Sequence, residues 1–284
     1  MGDVTVAIPA YNESSTLGRL LDVLQGELDV AEILVVDDCS SDGTDRIARA
    51  AGGKVRLIRH EHRSGQTVGW QTAIRAATYP IVVFVDADSV PQRDAINELA
   101  RNIRNGFDLA GGRAEPHGRG TWPPSRFSAR VFSTLSEMGY RETQVIGRLF
   151  AIRRSWLADV DLPKDVISND LWLAMYAEQT NARFVYSPRA VVSYAAPGNI
   201  RDFKAQRLRA GLGRIQLQRW GLVTQKAKTR WSSVLSAVAL SFARDPFAGA
   251  CWAAIQIIIH ISPIPRVPLP ADGMWQQQSS TKTL

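Results

Sequence analysis

Two acidic pairs and one segment ending in Glu13, each lying just after an apolar run, are the residues best suited to chemistry. Asp86-Ala87-Asp88 follows Ile81-Val82-Val83-Phe84-Val85. Two carboxylates one residue apart at a strand end offer hard oxygen ligands to a divalent cation such as Mg2+ or Mn2+. A diphosphate would complete the shell, and the metal would neutralise a departing nucleotide. Asp37-Asp38 follows the apolar run 33–36, and Pro9-Ala10-Tyr11-Asn12-Glu13 follows the run 4–8. Ser168-Asn169-Asp170 opens a later helical stretch, where Asp170 can take a proton from a hydroxyl. Each residue also has a plainer reading. The D-x-D can be a capped turn, Tyr11 a core aromatic, Glu13 a charge at a helix start, and Asn169 or Asp170 an N-cap.

The intervening sequence predicts the elements that must carry these acids. Strands are expected over 4–8, 33–36, 55–59 and 81–85, with helices over 16–28, 44–51, 71–77 and 94–105. Leu17, Leu20, Leu21, Leu24 and Leu28 set the helical spacing of the first. Strict alternation of strand and helix implies βαβ units and a parallel sheet, with ligands beyond the carboxyl ends of the strands. Beyond residue 105 the pattern is less regular. A strand and a Gly-rich turn are expected over 109–119, a loop entering a helix over 121–130, a strand over 147–152, a helix over 170–180, and two short strands, 184–186 and 191–194, around Pro188.

Strand, P-A-Y-N-E, strand, D-D-C-S-S-D-G-T, and strand with D-A-D together resemble the family 2 inverting glycosyltransferases. The resemblance implies an α/β chain of GT-A type, with a Rossmann-like, mostly parallel central sheet flanked by helices. It spans residues 1–195. By position, Pro9, Ala10, Tyr11 and Glu13 resemble the lining of a nucleoside pocket. Asp38 resembles the acid that meets the base or ribose, and Asp86 the acid near ribose and sugar. Ala87 lies between Asp86 and Asp88, and Asp88 resembles the metal ligand. Asp170 resembles the general base, with Asn169 where the family usually has another acid. Gly147 and Arg148 open a segment, G-R-L-F-A-I-R, similar to one that lines the acceptor side.

The chain departs from the family at His62-Arg63-Ser64-Gly65-Gln66. Gln66 stands where the family has lysine, Gln71 where it has asparagine, and Ala73 where it has glycine. Arg63 can supply phosphate charge instead. His60, Glu61 and His62 read as a solvated loop. A Q-x-x-R-W signature, found in processive members, is split between two places. Gln216 to Arg219 and Trp220 have the letters, while Gln206 to Arg209 has the better distance from Asp170. A basic helix facing phosphate or lipid headgroups is the plainer reading of both.

The chain has 284 residues and a formal net charge of +7. Arg and Lys crowd 201–230, whereas acids spread through the first half, unlike a uniformly basic nucleic-acid binder. Two cysteines, Cys39 and Cys251, lack metal spacing and imply no disulfide scaffold. The N-terminus reads as a strand and turn rather than a signal peptide. These observations give an expected layout. A catalytic domain occupies 1–200, with a nucleotide-sugar half over 1–110 and an acceptor half over 111–200. A helical basic and apolar extension covers 201–270, and a flexible tail 271–284. The apolar runs 234–243 and 247–261 are expected to form a membrane-surface, re-entrant or partner-buried pair, with peripheral membrane contact through 201–265.

The expected activity is sugar transfer from a nucleotide diphosphate donor, UDP-sugar favoured, to a glycan or lipid-linked acceptor. The expected place is the cytoplasm or the inner face of its membrane. A nucleotidyltransferase would carry a Gly-rich basic loop after the first strand, where this chain has Ala-Tyr-Asn-Glu. A non-enzymatic nucleic-acid binder would interleave aromatic and basic residues, which this chain does only around Trp220 and Trp231.

Overall fold

The computed structural model describes residues 2–117, 122–139, 144–145, 147–222 and 231–261. The first half runs β1 (Val4–Ala10), α1 (Leu17–Gln25), β2 (Val30–Asp37), α2 (Thr44–Ala51), β3 (Val55–Arg59), α3 (Gln66–Ala76), β4 (Ile81–Val85), β5 (Ser89–Pro91) and α4 (Ala95–Arg104). The second half runs β6 (Leu109–Pro116), α5 (Pro123–Glu137), β7 (Leu149–Arg153), α6 (Arg154–Leu157), α7 (Asn169–Gln179), β8 (Phe184–Tyr194) and α8 (Ile200–Arg219). It ends with α9 (Trp231–Arg244) and α10 (Pro246–Ile261).

One eight-stranded sheet has the order β3-β2-β1-β4-β7-β6-β8-β5. β1 pairs in parallel with both β2 and β4, and β2 pairs in parallel with β3. β7 enters antiparallel between β4 and β6. β1, β2 and β4 are buried on both faces, which is why they carry Val/Ile/Leu runs, while the edge strand β3 is only half-buried and its run is interrupted by Arg. One face packs under α1 through Leu17, Leu20, Leu21 and Leu24. The other holds Trp70, Phe84 and Phe150 in mutual ring contact.

Three expectations change. Helix α1 stops at Gln25, capped by Gly26, so Leu28 falls off its apolar face and is 90% exposed. Helix α3 starts at Gln66, ahead of the expected 71, because Gly65 (φ 89°) turns the chain directly into it. β8 is one strand rather than two. Its pairing with β6 jumps between Tyr186 and Val191, so Pro188, which has no N–H to donate, lies in the bulge.

The C-terminal pair α9 and α10 breaks at Asp245. The Asp245 carboxylate accepts from Ala248 N–H and from Arg126 of α5 at 2.8 Å. Phe127 of α5 meets Phe242 and Trp252, and Gly249 is pressed against Phe242 and Phe127. One side of the pair is thus covered by the chain's own α5. Leu235, Phe247 and Ile257 remain well exposed. No described helix is long and apolar enough to cross a membrane. The Pro-rich stretch 263–270 and the polar tail from 276 lie outside the described residues.

Candidate active site

The carboxyl ends of β1, β2 and β4 meet around a crevice lined by Pro9, Ala10, Tyr11, Glu13, Asp38, Arg63, Gln66, Asp86, Ala87 and Asp88, among others. Its volume is about 230 Å3. Two of its turns are locked together by side chains. Ser40 Oγ accepts from Asn12 N–H at 2.8 Å, and Asn12 Oδ1 accepts from Ser41 N–H at 2.9 Å. Thr44 Oγ1 accepts from Glu13 N–H, and Asp42 accepts from Ser14 N–H and from both the N–H and hydroxyl of Thr44. Burial works against the Asp42 charge, but the Thr44 hydroxyl and the N–H groups of Ser14 and Thr44 outweigh it and hold the carboxyl at about 2. Asn12 (φ 53°) and Cys39 (φ 63°) both adopt the left-handed conformation, which non-glycine residues rarely adopt, at the edge of this crevice.

The two acids after β2 separate. Asp37 is fully buried and turned towards Arg59 at 3.4 Å, while Asp38 lines the crevice. The Asp38 carboxylate accepts from the N–H groups of Ser64 and Gly65, both at 2.8 Å, and lies 2.9 Å from His60 Nδ1. His60 also contacts Thr72 of α3. It is therefore a half-buried tie between β3, Asp38 and α3, not part of a solvated loop; Glu61 and His62 are exposed as expected. The Arg63 guanidinium lies 4.1 Å from the centre of the Tyr11 ring, a cation–π geometry.

Asp86, Ala87 and Asp88 close the crevice floor. Gln66 Nε2 donates to Asp86 Oδ1 at 3.0 Å. Arg148 Nη1 lies 2.8 Å from Asp88 Oδ1, 3.1 Å from Ser89 Oγ and 3.7 Å from Asp86 Oδ2. Burial pushes the Asp86 carboxyl up to about 7; Arg148 opposes this and Asp88 adds to it. Burial also works against the Arg148 charge, but Asp88 and Asp86 hold it more firmly protonated than usual. The donor set suits a hard divalent cation: two carboxylates at one strand end, with Asp88 Oδ2 free of partners among the described residues. Those residues hold no cluster of three or more His, Cys, Asp or Glu placed for a metal, so an ion held here would need ligands beyond these two carboxylates.

A second cavity, of about 320 Å3, adjoins the first. Gln66, Asp86 and Arg209 line both. Gly147, Arg148, Asn169, Asp170 and Gln206 line only the second. Asp86 and Asp170 are the two carboxylates among its described lining residues. Asp170 is held at the first turn of α7: its Oδ1 accepts from Leu171 N–H at 2.8 Å, and its own N–H donates to Asn169 Oδ1. The cap position belongs to Ser168, so Asn169 and Asp170 sit inside the helix rather than at its cap. Gly147 leaves room beside Asp170, its nearest neighbour on that side.

The split signature on α8 is resolved by position. Gln206 and Arg209 face the cavities, and the Arg209 charge interacts with those of Asp170 and Asp86. Gln216 lies seven residues beyond Arg209, on the same helix face but about 10 Å farther along. It lines neither cavity and instead holds the segment before Asp170, accepting from Ile167 N–H and donating to Asp165 O, both at 2.9 Å. Arg219 and Trp220 are exposed and line neither cavity.

Gln66 is the site residue that motif reading undervalued. Its signal was its place where the resemblance expects lysine, which marked it as a departure rather than as lining of both cavities.

Residues 5–160, more than half of the chain, match glycosyl transferase family 2. The chain belongs to the family 2 glycosyltransferases. This family 2 chain is 27% identical over 220 residues to the pre-mycofactocin glycosyltransferase of Mycobacterium tuberculosis, covering 72% of this chain and 45% of the relative. It is 28% identical over 147 residues to glycosyltransferase AglE of Haloferax volcanii, covering 49% and 47%. It therefore spans about half the length of these relatives. Among solved structures, it resembles mannosyltransferase PcManGT from Pyrobaculum calidifontis, in complex with GDP-Man and Mn2+. The TM-score is 0.63 at 22% identity, covering 92% of this chain and 81% of that one. It also resembles glucosyl-3-phosphoglycerate synthase of Mycobacterium tuberculosis, in complex with Mn2+, UDP and glucosyl-3-phosphoglycerate. There the TM-score is 0.56 at 20% identity, covering 78% and 81%. The GT-A fold expected from the sequence is the fold observed.

Proposed function

We propose that this family 2 chain transfers a sugar from a nucleotide diphosphate donor to an acceptor hydroxyl with inversion at the anomeric carbon. One observation carries this reading. Two adjoining cavities share Gln66, Asp86 and Arg209, with the D-A-D acids in one and Asp170 in the other. The first cavity takes the donor: Tyr11, Glu13, Asp38 and Arg63 surround its nucleoside end. Asp86 lies at the junction, where the sugar must sit if it is to meet an acceptor.

Asp88, with Asp86, would hold Mn2+ or Mg2+, which would supply charge neutralisation for the leaving diphosphate. Asp170 removes the acceptor proton as the acceptor oxygen bonds to the anomeric carbon. The bond from that carbon to the diphosphate oxygen breaks, and its electron pair leaves with the nucleoside diphosphate. Arg209 faces both carboxylates and steadies charge where the two substrates meet. UDP-sugars are the favoured donors, although Gln66 at the usual lysine position leaves GDP-sugars in the test. Both kinds occur among the structural neighbours, which bind GDP-Man and UDP-GlcNAc.

A lipid-linked acceptor and peripheral contact with an anionic membrane fit the exposed Leu235, Phe247 and Ile257, which follow the Arg/Lys-rich stretch 201–230 in the sequence. On this reading the chain works at the cytoplasmic face of a membrane. The deciding experiment is a UDP- and GDP-sugar hydrolysis screen with Mn2+ and with EDTA. Release of nucleoside diphosphate that EDTA stops supports the reading. Release of pyrophosphate, or no turnover of any donor, refutes it.

A further inference from the structure

Arg148 points into the acidic pair from the second cavity, whereas Ala87 and Asp88 line the first. Its guanidinium bonds to Asp88 Oδ1 and Ser89 Oγ and lies within ion-pair distance of Asp86. The Tyr194 ring lies 4.2 Å away, and the Arg148 side chain is 21% exposed, so the cation is held in place. Two carboxylates that could draw a divalent ion are therefore already half neutralised from behind.

We propose that Arg148 is a resident counter-cation of the Asp86/Asp88 pair that makes divalent-metal binding depend on a nucleoside diphosphate. This rests on the donor-site reading above. With Arg148 in place, the two carboxylates and the guanidinium together carry at most one net negative charge, and an incoming Mn2+ also meets a like charge close by. In a partly buried site that repulsion is screened only weakly. A diphosphate brings both the missing negative charge and the missing oxygen ligands, so metal and nucleotide bind well only together. The Arg148 Nη1 also fixes Asp88 through one oxygen, leaving Oδ2 without a partner among the described residues.

The sign of the effect separates this role from a structural one: removing a merely structural arginine weakens a site, whereas removing a competing charge tightens it. Mn2+ binding to the full chain is read by the electron paramagnetic resonance of the free ion, with and without UDP, or with GDP where GDP is the nucleotide bound. Wild type is expected to bind Mn2+ weakly alone and more tightly with the nucleotide. Arg148→Met is expected to bind Mn2+ alone about tenfold or more tighter than wild type, with less further gain from the nucleotide. Arg148→Lys keeps the charge and is expected to stay near wild type.

A folded Arg148→Met chain that binds Mn2+ no better than wild type overturns the proposal, as does an Arg148→Lys chain that behaves like Arg148→Met. If Arg148→Met fails to fold, wild type decides: equal Mn2+ affinity with and without bound nucleotide overturns the proposal. If neither UDP nor GDP binds by calorimetry, the donor-site reading is what fails. The comparison of metal-only affinities between wild type and Arg148→Met still stands in that case.

Discussion

At the scale of single residues, the proposed reading divides the work of the site between Asp170 as base and Asp88 as metal ligand. Asp170 lines the second cavity alone, so Asp170→Asn is expected to cut sugar transfer by roughly 100- to 10,000-fold, the span usual for a lost general base. The donor KM should stay close to wild type. Asp88 lines the first cavity alone, so Asp88→Ala should raise the donor KM and remove stimulation by Mn2+. A coupled assay of nucleoside diphosphate release, run on both variants, checks this split; a large KM change in Asp170→Asn would count against it. Asp86, Asp88 and Asp170 were legible in the sequence because a carboxylate after an apolar strand, or at a helix start, is a local pattern. Arg148 and Gln66 were legible only as motif members. Their bonds to Asp88 and Asp86 depend on β7 pairing antiparallel with β4 and on α3 starting at Gln66. The separation of Asp37 from Asp38 follows from strand alternation, but which of the two faces the crevice needed the sheet.

At the scale of elements, α8 and the interlocked turns hold the acids in place. Gly213 packs against Ser168, where an added Cβ would come within 2.2 Å of Oγ and 2.7 Å of Cβ. Gly211 on the same helix has open space around it. Gly213→Ala should therefore cost about 1–3 kcal/mol as an overpacked contact and lower turnover by shifting the segment before Asp170. Gly211→Ala should instead stabilise by about 0.5–1 kcal/mol through helix entropy. Urea denaturation of the pair, with turnover measured alongside, checks both signs. The Asp42 lock gives a pH test. Because its folded carboxyl is held at about 2, below the ordinary 3.8, its contribution is fully present above that ordinary value and is lost as pH falls towards about 2. The urea midpoint of Asp42→Asn should thus lie below that of wild type at pH 7, and the gap should close near pH 2. The alternation of strands and helices in the first half was readable because its signals are local. The bulge in β8 was not, since the jump between Tyr186 and Val191 is set by the β6 strand beside it.

At the scale of the whole molecule, the apolar C-terminal pair has one side covered by α5 and one side exposed. Asp245 binds Arg126, and Phe242 and Trp252 sit on Phe127, so that side anchors α9 and α10 to the rest of the chain. The sequence showed two apolar helices, but not that α5 would cover one side of them, because α5 reads as a loop entering a helix with no matching pattern. Leu235 and Phe247 lie on the uncovered side, 65% and 68% exposed. Apolar burial and attraction between basic residues and anionic headgroups act together at a bilayer surface, each basic residue adding about 1 kcal/mol near it. The chain should therefore float with vesicles that contain anionic lipid and less with neutral ones, and salt should weaken the binding. Replacing Leu235 and Phe247 together by serine should reduce flotation on anionic vesicles. It should leave donor hydrolysis unchanged, since neither residue lines a cavity of the site. Replacing Asp245 by alanine removes its ion pairs with Arg126 and Arg130 of α5 and should instead lower the melting temperature. Vesicle flotation and a melting curve on the same variants separate the two sides, and equal flotation of wild type and the Leu235/Phe247 variant would exclude this face as the membrane contact.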